Sequence, residues 1–219
     1  ADLDFVGICH YRRYFIYKNR IDRLCSNSLW SDWSKYWFSK LFQTFLRPGH
    51  YYVRKNQMKI SPDQLSQLVP KFEEKLESLL KDYPVLVARP VVYSDSSVEQ
   101  QFEKLGFRYF EDLLEVWTSL FPEDTSLIYS VFSSNRLFSA NMLVARHSAF
   151  LDYYNYLIKI LSSYQVRYEV DFQEVKGIHA RNFARVPGYF AELITSVYIE
   201  KMLAKGKVYK DLYIGEIVL

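Results

Sequence analysis

His10-Tyr11-Arg12-Arg13 sets an imidazole, a phenol and two guanidiniums in four consecutive positions. Guanidinium is planar, always charged and a multidentate donor, so a pair of them is suited to a phosphate or diphosphate group. The same residues also suit a surface loop whose arginines pair with acids, and the residue types alone leave both readings open. Asp2-Leu3-Asp4, just upstream, has the D-x-D spacing of a metal-bound phosphate site. Position separates the two clusters. Phe5 to Cys9 is an apolar, β-branched run that reads as a short buried strand over 4–9. In an open α/β sheet, ligands bind outside the carboxyl ends of the strands. The basic cluster follows this strand and the acidic pair precedes it, so the acids stand at the wrong end.

The elements that would position such a cluster can be read from periodicity. Residues 84–88 (P-V-L-V-A) form a second buried strand ending at Arg89-Pro90, and a third lies at about 141–146. Helical spacing covers 29–46, ending at Arg47-Pro48-Gly49, and runs from Ser61-Pro62-Asp63 to Leu80 with a break expected at Pro70. It recurs over 97–121 with an interruption near Gly106, over about 125–134, over 148–163, and over 188–204 with Pro187 near its start and Gly206 after its end. Residues 17–28 read as a loop, 50–60 as extended, 164–184 as irregular, and the tail from Val208 as extended. Short buried strands between helices predict an α/β domain with a largely parallel sheet.

Composition narrows the function classes. The chain has 219 residues, 49% of them hydrophobic, enough for one domain with a sizeable core. A net charge of +3 does not argue for nucleic acid, and seven Gly with seven Pro argue against disorder. The 19 Tyr, 16 Phe and 4 Trp fit a sugar or lipid site, but a core uses the same residues. Cys9 and Cys25 make no disulfide framework, and the four histidines have no metal-ligand spacing. No signal peptide is visible in these residues, and no apolar run comes near the roughly 20 residues of a membrane span. Walker, Rossmann, nucleophile-elbow and H-E-x-x-H motifs are absent from the sequence.

Three blocks carry a resemblance. V-G-I-C-H-Y-R-R-Y-F (6–15), S-A-N-M-L-V-A-R-H-S-A-F-L-D-Y-Y (139–154) and A-R-V-P-G-Y-F-A-E-L-I-T-S-V-Y-I-E-K (184–201) resemble the signature blocks of a bacterial family from capsular polysaccharide and O-antigen (lipopolysaccharide) clusters. That family, formerly a domain of unknown function, is read as GT-A-type glycosyltransferases, galactofuranose transfer among its proposed activities. The weaker L-L-K-D-Y-P-V-L-V-A-R-P (79–90) and E-Q…D-L…F-P-E (99–123) match in the same order.

The resemblance implies a GT-A-like, mostly parallel sheet flanked by helices. It also implies a single transferase domain over 1–219, cut short at its N-terminus, with an aromatic insertion at about 29–57. Family members carry about 70 or more residues before H-Y-R-R, room for two βα units including the first strand. The implied function is hexosyl transfer from a nucleotide-diphosphate sugar, with UDP as the expected nucleotide, to a growing surface polysaccharide or lipid-linked acceptor. The alternative is a non-catalytic carbohydrate-binding or interaction module of a larger synthase. His10, Tyr11, Arg12, Arg13 and Asn141 are then the donor-binding candidates. Glu192 is the candidate general base, with Asp95 and Asp112 behind it, and Arg185 and Tyr189 are acceptor-binding candidates. Each has a plainer reading: strand cap for His10, core packing for Tyr11, turn residue for Asn141, and helix-dipole partner in a first turn for Glu192.

No metal ligand is assigned. Many GT-A enzymes use Mg or Mn on a D-x-D, so a divalent cofactor stays open, with arginines as the substitute. The expected place is the cytoplasm, at the inner face of the membrane. Helix 29–46, with Trp30, Trp33, Trp37, three phenylalanines, Lys35 and Lys40, is the candidate peripheral contact. The chain departs from the family in three places. A Glu-Arg pair of the last block reads Glu192-Leu193, a histidine expected before Asp112-Leu113 is missing, and 17–57 is longer and more aromatic.

Overall fold

The computed structural model describes residues 5–8, 13–16, 57–60, 62–104, 109–139, 141–169 and 186–217. In chain order its elements are β1 (Phe5–Ile8), β2 (Arg13–Ile16), β3 (Gln57–Ile60), α1 (Pro62–Asp82), β4 (Val85–Ala88), β5 (Val91–Val92), α2 (Val98–Lys104) and α3 (Phe110–Leu120). A single 3-10 turn (Pro122–Asp124) leads to α4 (Thr125–Ser133), β6 (Arg136–Leu137), β7 (Leu143–Arg146), α5 (His147–Tyr168), α6 (Val186–Ala204) and β8 (Tyr209–Ile217). The expected helix over 29–46 and the loop over 17–28 lie outside the described residues.

The main sheet runs β1-β7-β4-β8-β2, with β3 also on β8. It is mixed, which corrects the expectation of a largely parallel sheet. β1, β4, β8 and β3 point one way, and β7 and β2 run against them. β7 lies between β1 and β4 and is antiparallel to both, while β6 pairs with β5 in a separate two-stranded sheet. Only four residues separate β1 from β2, too few for the crossover of a dozen or more that a parallel return needs, so β2 runs back against β1.

Strand alternation builds two cores. Val85 and Val87 of β4 face one side with Leu143 and Ala145 of β7, against the helices α2 to α6. Leu86, Ala88 and Val144 face the other, against Leu76, Leu79 and Leu80 of α1. The sheet is therefore covered on both faces. α6 is buried nearly all round, as a helix between other helices and a sheet must be, and its inward residues include Phe190, Leu193, Ile194 and Val197. Its buried hydroxyls are satisfied locally. Thr195 Oγ1 donates to Ala191 O at 2.6 Å and Ser196 Oγ to Glu192 O at 2.9 Å.

Three further expectations change. α1 runs through Pro70 unbroken, an exposed position where the lost hydrogen bond falls on the solvent side. α5 continues to Tyr168, five residues past its expected end, because Tyr164 is buried against Phe190 and keeps the helical stripe going. α6 starts at Val186, so Pro187 sits in its first turn.

Gly7 shows how closely β1 and β7 approach. A Cβ there would meet Val144 Cγ2 at 2.9 Å and Leu143 O at 3.2 Å. Val144 is β-branched and cannot swing clear. Gly7→Ala is therefore expected to cost about 1–3 kcal/mol by overpacking. In a denaturation series the double change Gly7→Ala/Val144→Ala should cost less than the sum of the singles, since the clashing methyl is gone.

Candidate functional site

The carboxyl ends of β1 and β4 and the start of β7 meet at one edge. Ile8 lies opposite Leu143, and Val87 lies opposite the same residue from the other side. Ala88 N–H donates to Met142 O at 3.3 Å, and Arg89 N–H to Leu212 O at 2.8 Å. β8 does not stop there. It passes the end of β4 by five residues, about 16 Å at 3.3 Å each, and only this overshoot carries β2 and β3 on its two sides. Arg13, at the start of β2, pairs with Glu216 in the overshoot.

Asn141 stands at the turn into β7 with φ of 50°, a left-handed conformation that Asn tolerates better than most residues. Its Nδ2 donates to Gly188 O at 2.8 Å, tying the turn to the first turn of α6. Its Oδ1 is a buried acceptor, the one buried side-chain polar atom among the described residues with no partner. Such an atom costs about 1–3 kcal/mol unless a donor reaches it. A second tie lies three residues back. Phe138 N–H donates to Ser196 Oγ at 2.9 Å, and that hydroxyl donates on to Glu192 O. Phe138 and Asn141 are thus both tied to α6, at Ser196 and Gly188.

Glu192 is half-buried and lies in the second turn of α6, not the first, because the helix begins at Val186. The first turn of α6 has no acid, so the dipole explanation for Glu192 weakens. Its neighbour is the Tyr93 phenol. Burial first, and the Glu192 carboxylate second, push that phenol up to about 12. Tyr93 therefore stays a neutral hydroxyl beside the carboxylate. Its backbone is fixed by Asn135: Tyr93 N–H donates to Asn135 O at 2.8 Å, and Asn135 Nδ2 to Tyr93 O at 3.0 Å. These bonds extend the two-residue ladder of β5 and β6.

The remaining candidates divide. Asp95 is exposed, two residues past Tyr93, and accepts from Ser94 Oγ at 2.7 Å. The capping box Ser97/Gln100 opens α2 just beyond it. Tyr189 is half-buried with its ring edge-on to Phe102 at 6.4 Å. Asp112 is half-buried in the first turn of α3. There its charge, second to burial, raises the Tyr164 phenol. His10, Tyr11, Arg12 and Arg185 lie outside the described residues, as does the side chain of Arg13.

Two residues at the edge were not singled out from sequence. Arg89 is the first residue after β4, and the strand-direction rule that picked out His10 after β1 points to it equally. Tyr93 gave no signal, since a two-residue strand has no period. Among the described residues no three His, Cys, Asp or Glu side chains come together as a metal site requires.

A cavity of about 540 Å³ lies away from this edge. It is lined by Glu123, Asp124, Ser130, Lys201 and Lys205, near the far end of α6. Lys201 is nine residues past Glu192, about 14 Å along the helix.

The sequence matches, over residues 1–204, the family described as Domain of unknown function (DUF4422). The chain belongs to that family. This DUF4422 domain also shares its fold with a solved structure titled "WbbM bifunctional glycosytransferase apo structure", with a TM-score of 0.70 and 19% sequence identity. The match covers 99% of the domain and 34% of that protein, so the domain spans about a third of its length. No curated protein matches the sequence. Among the described residues no helix is long and apolar enough to cross a membrane.

Proposed function

We propose that this DUF4422 domain is a glycosyltransferase that moves a hexose from a nucleotide-diphosphate sugar to a hydroxyl of a growing surface glycan. The observation that carries the reading is the double tie Asn141–Gly188 and Phe138–Ser196–Glu192. It holds a candidate sugar contact and a candidate base together at the edge where β1 delivers the H-Y-R-R sequence. Fold-sharing with a glycosyltransferase supports it.

In this reading Arg12 and Arg13 take the donor diphosphate, and His10 and Tyr11 contact phosphate or sugar. Positive charge there stabilises the leaving diphosphate as the glycosidic bond breaks. Arg89 adds a further guanidinium at the same edge. Asn141 Oδ1 accepts from a sugar hydroxyl. Glu192 takes the proton of the attacking acceptor hydroxyl, with Tyr93 as its neutral neighbour. Asp95 is the second candidate base. Arg185 and Tyr189, flanking the start of α6, belong to the acceptor side. UDP as the nucleotide, galactofuranose as the sugar, a lipid-linked acceptor, membrane contact through 29–46, and a place at the inner face of the cytoplasmic membrane all belong to this proposal.

The test is release of nucleoside diphosphate by the full-length protein from a panel of sugar donors, with and without EDTA. Turnover of one donor is expected, with Arg12→Ala raising the donor KM about tenfold or more for a lost charge-assisted bond. Glycan binding with no turnover of any donor favours the carbohydrate-binding module instead.

A further inference from the structure

We propose that the amino edge of the sheet, opposite the candidate site, is a docking face for an anionic membrane surface. From Lys201 to Lys210 the sequence holds four lysines and no acid. Lys201 is turned inward and bonded to Asp124 at 2.6 Å. The others are presented by a well-fixed turn. Gly206 closes α6 with φ of 71°, and the N–H groups of Lys205 and Lys207 donate to Met202 O at 3.1 and 3.0 Å. Lys205 and Lys207 are exposed, Lys205 sharing a cavity wall with Glu123. Lys210 is half-exposed, its ammonium 5.8 Å from the centre of the Tyr83 ring.

The same edge collects cations from two other elements. Val85 lies opposite both Tyr209 and Ala145, which brings the end of α1, the end of β7 and the start of β8 side by side. Arg146 is exposed there, its guanidinium bonded to the carbonyls of Leu80 and Lys81. Lys81 is exposed beside it. The turn 203–210 itself holds no acid; Asp82 ends α1, Glu123 lines the cavity beside Lys205, and in the sequence Asp2 and Asp4 precede Phe5, the register partner of Arg146.

Charge alone would fit any polyanion. Leu203 and Val208, 37% and 50% exposed, flank the turn between the lysines. Aliphatic side chains ringed by lysine suit a headgroup and acyl boundary. Single-stranded nucleic acid is held instead by aromatic stacking platforms. The occupant argued for is therefore a bilayer carrying anionic phospholipid. The inference does not depend on the glycosyl-transfer reading. If both hold, Glu192 and the lysine turn lie about 20 Å apart along α6, thirteen residues at about 1.5 Å each.

Co-sedimentation of the full-length protein with vesicles tests this. Binding is expected on phosphatidylcholine vesicles containing about a third phosphatidylglycerol, and is lost on pure phosphatidylcholine and at about 1 M salt, where screening is complete within about 3 Å. Each lysine contributes about fivefold, so K205E/K207E should weaken binding by about 25-fold or more. Val208→Asp should weaken it with an unchanged unfolding midpoint, and Trp30→Ser/Trp37→Ser, which removes the separate contact proposed through 29–46, should leave the dependence on anionic lipid in place. Equal binding to neutral vesicles overturns the proposal. So does K205E/K207E binding like the parent, loss confined to the tryptophan variant, or tighter binding to a single-stranded oligonucleotide than to the anionic vesicles.

Discussion

Glu192→Gln is expected to lower turnover of the preferred nucleotide-sugar donor by about 10²- to 10⁴-fold, the usual contribution of a positioned general base. The amide keeps the size and one acceptor of the carboxylate but cannot take a proton. The main-chain oxygen of Glu192, which accepts from Ser196 Oγ, is untouched by the change, and the unfolding midpoint measured alongside separates lost chemistry from lost stability. Donor affinity, read by the KM of nucleoside diphosphate release, should move much less than kcat. Asp95 is exposed and Asp112 lies by Tyr164 of α5, so Asp95→Asn and Asp112→Asn should each cost less than Glu192→Gln. A larger loss at Asp95 would transfer the base role there.

The largest stability effect is expected at Asp124. Its carboxylate is 4% exposed at the junction of the 3-10 turn and α4. Oδ2 accepts from Tyr156 Oη at 2.8 Å and from Lys201 Nζ at 2.6 Å. Tyr156 in turn accepts from Trp117 Nε1 at 2.8 Å, and the Lys201 ammonium lies 5.0 Å from the Tyr156 ring centre. Burial, before any charge, holds the Tyr156 phenol well above its usual range, so it stays a donor. Asp124→Ala strands a lysine and a phenol in a largely desolvated place. The expected cost is about 3–5 kcal/mol, toward the lower figure because Lys201 is 20% exposed and has Glu123 at 3.8 Å. Urea denaturation measures it, as a lower midpoint at unchanged m. Asp124→Ala/Lys201→Met should recover part of the loss, since the buried charge goes with its partner.

Much of the fold was legible because burial writes a period into the chain. The apolar runs at 84–88 and 141–146 became β4 and β7, and the three-and-four spacing of 188–204 became α6. Strand direction was less legible. A run of Leu-Val-Ala reads the same in either sense, and only its pairing between β1 and β4 shows β7 to be antiparallel. Pro70 misled because its cost is set by which side of the helix loses a hydrogen bond, and sequence does not show sides. At the site, Asn141 and Glu192 came from resemblance, and what joins them is tertiary. The Asn141–Gly188 bond spans 47 residues and Phe138–Ser196 spans 58. Tyr93 and the Asp124–Lys201 pair were invisible for the same reason. Tyr93 rests on a ladder too short to have a pattern, and the pair joins residues 77 apart.

The central claim is that the carboxyl edge is the donor site, and its most direct test is a titration of the full-length protein with nucleoside diphosphate, read from backbone amide NMR. Saturable shifts are expected at Arg89, Tyr93, Asn141, Gly188 and Glu192, with Asp124, Ser130 and Lys205 unmoved. Shifts confined to Asp124, Ser130 and Lys205, or saturation with the Asn141 and Glu192 amides unmoved, would contradict it.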